Sequence, residues 1–60
     1  MLPKDPFILL SFVNTKLRDK FNSLDELCDD LDESKEEICA ILKSYGYEYD
    51  SNLNQFKEIL

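Results

Sequence analysis

Leu9, Leu10, Val13, Leu17 and Phe21 fall on one side of the chain when positions are placed about 100° apart, the stripe a helix needs to face a core. Asp5 before Pro6 is a helix start, because an N-cap carboxylate accepts from the free first-turn amides and proline already holds a helical φ at N1. The pattern predicts a first helix from about Pro6 to Lys20. Ile8 and Phe12 lie outside its stripe. They are either covered by aromatic residues from the end of the chain, the outcome the pattern favours, or left with Phe7 in an exposed apolar patch.

Two shorter amphipathic segments follow, each opened by Ser-x-x-Glu. In this capping box the serine hydroxyl accepts from the amide three residues on, while the glutamate reaches back to the cap's own N–H. Ser23 and Glu26 predict a second helix over about 24–30 with Leu24, Leu27, Cys28 and Leu31 inward. Ser34 and Glu37 predict a third over about 35–45 with Ile38, Ile41, Leu42 and Tyr45 inward. Gly46, the single glycine, ends it, since a residue just past a helix commonly turns left-handed and glycine does so without a Cβ penalty.

Beyond Gly46 the period drops to two. Tyr47 and Tyr49 alternate with Glu48 and Asp50, residues 51–54 supply turn formers, and the chain returns from Gln55 to Ile59. A hairpin about this turn sets Tyr49 opposite Phe56 and Glu48 opposite Lys57. Two strands alone are marginal, so the hairpin must rest on the helices. The expected fold is mainly α: a three-helix bundle with a helix-turn-helix formed by helices 2 and 3, and a C-terminal β-hairpin wing at about 47–59. This winged-helix-like arrangement makes a single domain over residues 1–60.

A 60-residue chain buries only about 60% of the surface its unfolded state exposes, leaving little material for an enclosed active site. Thirteen acidic and seven basic residues give a net charge of −6. That balance opposes attraction to nucleic acid or anionic membrane and points to proteins or cations as partners. The opening apolar run is too short and too acidic in its flank for a signal peptide or a membrane span. Cys28 and Cys39 then read as reduced thiols of a cytoplasmic protein.

Ser23, Leu24, Leu27, Cys28, Leu31, Ser34, Ile38, Leu42, Gly46 and Tyr47 resemble the helix-turn-helix pattern of winged-helix regulators over about 25 residues. Asp32 and Glu33 stand where that pattern has Gly-Val. From Asp25 to Glu37 there are eight acids and one lysine, a face that repels a duplex. The chain also resembles a family of uncharacterised small bacterial proteins that open Met-Leu-Pro-Lys-Asp-Pro and carry Gly-Tyr-x-Tyr before Asn-Gln-Phe. The matching residues are Met1 to Pro6, Gly46, Tyr47, Tyr49 and Asn54 to Phe56. That resemblance implies that Met1 is the true start, and it carries no function to transfer.

No catalytic or metal constellation emerges, and the expectation is a non-enzyme without cofactor. There is no histidine, and Ser23 and Ser34 are engaged as caps. Asp30, Asp32 and Ser34 have the first spacings of a calcium loop, but Lys35 and Ile41 occupy the positions that need glycine and glutamate. Asp50, Asn52 and Asn54 repeat the near miss. The expected function is a protein-interaction or self-association module, using the helix 1 patch (Ile8, Phe12) or the acidic face of helices 2 and 3. The alternative is a dimeric DNA-binding regulator acting through Lys35, Glu36, Cys39, Ala40 and Lys43.

Overall fold

A computed structural model describes residues 2–59. The expectations that fall on Met1 and Leu60 lie outside the described residues. Helices α1 (Pro6–Asp19), α2 (Leu24–Leu31) and α3 (Lys35–Lys43) precede strands β1 (Tyr47–Asp50) and β2 (Gln55–Glu58), which pair antiparallel. The chain is therefore mainly α with a C-terminal hairpin, in the order a winged-helix-like domain requires.

Local signals set the boundaries. The Asp5 carboxylate accepts from the Phe7 and Ile8 amides at 2.9 and 3.2 Å, with Pro6 at N1. Ser23 Oγ accepts from the Glu26 amide at 3.1 Å and Ser34 Oγ from the Glu37 amide at 3.2 Å. Only this hydroxyl half of each capping box forms among the described residues. α2 closes in a Schellman turn: the Glu33 amide donates to the Cys28 carbonyl at 2.9 Å, and Asp32 takes the left-handed conformation with φ 56°. The acid that departs from the helix-turn-helix pattern thus occupies the conformation that glycine favours.

The core is formed by Leu9, Val13, Leu17 and Phe21 with Leu24, Leu27 and Cys28, Ile38 and Leu42, and Phe56 from the hairpin. Leu10, Leu31 and Ile41, expected inward, are half-buried at its margin. Tyr45, also expected inward, is exposed. α3 stops at Lys43, and the chain then tightens into i→i+3 bonds, from the Tyr45 amide to Leu42 and from the Gly46 amide to Lys43. A tighter turn advances each residue further around the axis and carries Tyr45 off the Ile38–Leu42 stripe. Gly46 follows with φ 89°.

The hairpin register is the expected one, Tyr49 opposite Phe56 and Glu48 opposite Lys57. Lys57 extends its ammonium diagonally to Asp50, 3.0 Å away, rather than across to Glu48. Asp50 also accepts from the amides of Asn52 and Leu53, fixing the loop. The contact with Lys57, reinforced by those amides, holds the Asp50 carboxyl below the usual aspartate value.

Side-chain amides attach the hairpin to α1. Asn14 Oδ1 accepts from the Phe56 amide at 2.8 Å and its Nδ2 donates to the Phe56 carbonyl at 3.1 Å, so one side chain pairs with β2 as a neighbouring strand would. Asn54, left-handed at φ 54°, donates to the carbonyls of Leu17 in the last turn of α1 and Phe21 just beyond the helix, both at 3.0 Å. Its Oδ1 accepts from the Tyr49 hydroxyl at 2.6 Å, and that hydroxyl accepts from the Leu24 amide at the start of α2. One linked set of bonds therefore joins the end of α1, the start of α2, β1 and the hairpin turn.

This attachment corrects the expectation for Ile8. Asn14 lies about 160° around α1 from Phe12 and about 120° from Ile8, so a hairpin seated on Asn14 turns away from both. Ile8 is 58% exposed. Phe12 is half-buried against the core, with the Lys16 ammonium 5.6 Å from its ring centre.

Candidate functional site

The residues ahead of α1 have no helical or strand period, yet they build one wall of an open groove. Leu2, Pro3 and Lys4 lie alongside α3, and between them opens a cavity of about 270 Å³. Leu9, Ile38 and Ile41 supply the rest of its apolar lining, while Glu33, Ser34 and Glu37 border it at the start of α3. The Schellman turn presents Glu33, and the Ser34 cap orients the first turn that carries Glu37. Glu37 was expected to reach back to the Ser34 amide; its side chain borders the groove instead. Lys4 also lines the groove.

Two exposed aromatic rings meet where the start of α1 approaches the end of α3. Phe7, at the start of α1, and Tyr45, just past α3, meet edge to face at 6.0 Å between centroids. They are 60% and 53% exposed. The Ile59 amide donates to the Gly46 carbonyl at 2.8 Å, which brings the end of the described chain beside Tyr45.

The residues singled out on α3 share one outward side, with Glu36, Ala40 and Lys43 exposed and Cys39 half-buried. Lys35 is turned from that role by Asp25 of α2, whose carboxylate lies 3.0 Å from its ammonium and raises its pKa. Ile8 and Phe12 belong to α1 and are not part of this stripe. Burial is the main cause that pushes both cysteine thiols up, so each stays protonated at neutral pH. Among the described residues, no group of three or more acids and thiols is placed to hold a metal ion. No helix among them is long and apolar enough to cross a membrane.

The groove escaped sequence reasoning because Leu2 and Pro3 belong to no periodic element. The available signal was the opening Met-Leu-Pro-Lys-Asp-Pro motif, whose Leu2 and Pro3 had no place assigned to them in the fold.

Fold and site define a small helical domain with a hairpin latched on one side and an acid-bordered apolar groove on another. Residues 3–56 match the family described as Domain of unknown function (DUF4250), and the chain belongs to that family. No curated protein and no solved structure matches it.

Proposed function

We propose that this protein is a non-enzymatic protein-interaction module that docks its partner in the groove between residues 2–4 and α3, with Phe7 and Tyr45 alongside. The observation that carries this reading is the open cavity whose accessible apolar lining is Leu2, Pro3 and Ile41 above the core residues Leu9 and Ile38, in a chain whose buried polar side-chain atoms are all satisfied among the described residues. Apolar surface left accessible in so small a domain marks an interaction site.

The DNA-binding alternative has less support. Asp25 neutralises Lys35, and Glu36 stands beside it on the face that would meet phosphate. Duplex affinity that falls steeply as salt rises would favour that alternative.

A photo-crosslinking side chain placed at Lys4, and separately at Asn52 in the hairpin loop, tests docking inside the cell. Discrete protein adducts from position 4 and none from position 52 are expected. Adducts of equal pattern from both positions, or from neither, would remove the groove as the docking site.

A further inference from the structure

Resting on the reading of the groove as a protein-docking site, we infer that its occupant is a basic peptide segment of another protein. An aliphatic side chain of that segment sits against Leu2, Pro3 and Ile41, and a neighbouring lysine or arginine pairs with Glu33 and Glu37.

Three observations select this occupant. The first is size: about 270 Å³ lies just under the range of about 300–1,000 Å³ typical of small-molecule and cofactor sites, and suits one or two side chains entering from a peptide. The second is the division of the lining. The side chains of Leu2, Pro3 and Ile41 offer no hydrogen bonds, so what rests on them is apolar. Glu33 and Glu37 stand together on the α3 side and present carboxylates to whatever lies next to that apolar group.

The third is the surrounding field. Eight acids and one lysine occupy Asp25 to Glu37, and the lysine, Lys35, is already paired with Asp25. The groove therefore opens on the most negative stretch of the chain, which raises the local concentration of cationic ligands and repels anions. A second copy of this chain, itself carrying −6, meets that repulsion on approach. Lys4, which also lines the groove, disfavours a uniformly basic segment and favours one that mixes cations with apolar side chains.

The test is a fluorescence-anisotropy titration of the intact protein with a labelled synthetic peptide of lysines interrupted by two leucines. Two companion peptides replace leucine with serine or lysine with glutamate. The lysine–leucine peptide is expected to bind at least about tenfold more tightly than either companion. Glu33→Gln with Glu37→Gln should weaken it about tenfold, while Asp29→Asn with Asp30→Asn, acids on the outer side of α2, should change it less than about twofold. Circular dichroism confirms that each variant keeps its helices. Equal loss in the two variant pairs, or undiminished binding of the serine peptide, would show diffuse charge attraction and overturn the inference. If the peptides fail to bind while the Lys4 crosslinks persist, docking stands and the basic occupant is wrong; if both fail, the docking reading falls as well.

Discussion

The hairpin junction and the groove use polar side chains in opposite ways. At the junction, Asn14, Tyr49, Asn54 and Gln55 direct their polar atoms into other parts of the chain. Gln55 Nε2, for example, donates to the Asn14 and Asn54 carbonyls, both at 2.9 Å. At the groove, Glu33 and Glu37 border an open apolar cavity and form no ion pair among the described residues. Two of the three stretches that carry the family resemblance, Gly46-Tyr47-x-Tyr49 and Asn54-Gln55-Phe56, lie at the junction, and the third, the opening stretch, supplies Leu2, Pro3 and Lys4 of the groove. The chemistry of the first two is consumed in holding the hairpin to the helices. The two junction motifs therefore explain the fold, whereas the opening motif borders the groove proposed for docking.

This contrast can be broken at either region, and the largest effect is expected at Asn54. Asn54→Ala removes the partner of the Leu17 carbonyl in α1, of the Phe21 carbonyl just beyond it and of the Tyr49 hydroxyl, and puts a Cβ-bearing residue without a compensating side-chain bond at φ 54°. The expected loss is about 3 kcal/mol, measured as a lowered urea midpoint. That is a large share of the roughly 3–9 kcal/mol to be expected for a chain of this size. A loss below about 1 kcal/mol would mean that water replaces the amide and that the junction is no latch. Asn14→Ala should follow at about 2 kcal/mol, because it strands both the amide and the carbonyl of buried Phe56.

Asp32→Gly is expected to raise stability by about 0.5–1 kcal/mol, since glycine takes the left-handed turn without Cβ strain. A decrease would show that the Asp32 side chain supports the turn in a way its backbone does not reveal. The smallest effect belongs to Asp50. Its pKa is lowered in the folded state, so its contribution is present above the usual aspartate value near about 3.9 and fades as pH falls through the depressed folded value. A series of urea midpoints on the acid side should therefore be flatter for Asp50→Asn than for the wild type. Parallel curves would remove the Lys57 contact as the cause.

Much of this fold is legible in local chemistry. Asp5-Pro6, Ser23 and Ser34 mark helix starts because capping is a short-range interaction, and the hairpin register follows from alternation about residues 51–54. What escapes local chemistry depends on which flank the hairpin takes. Asn14 reads as an ordinary polar helix residue until β2 is placed beside it, and the same placement leaves Ile8 exposed. Tyr45 was misplaced because the helical period was extended through a turn that tightens after Lys43. Of the surfaces expected to interact, the α3 stripe of Glu36, Cys39, Ala40 and Lys43 is assembled as drawn, whereas Lys35 is tied to Asp25 and Phe12 is half-covered. The groove was illegible because its walls come from the non-periodic residues 2–4 and from a helix more than twenty residues further on.

The most direct test of the account is a ¹⁵N-resolved NMR titration of the intact protein with the lysine–leucine peptide, read residue by residue. The account predicts shift changes at Leu2, Lys4, Leu9 and from Glu33 to Ile41, with Tyr49, Asn54 and Phe56 unmoved. Changes centred on the hairpin, or spread evenly over the acidic surface, would contradict the assignment of binding to the groove and of the junction to structure.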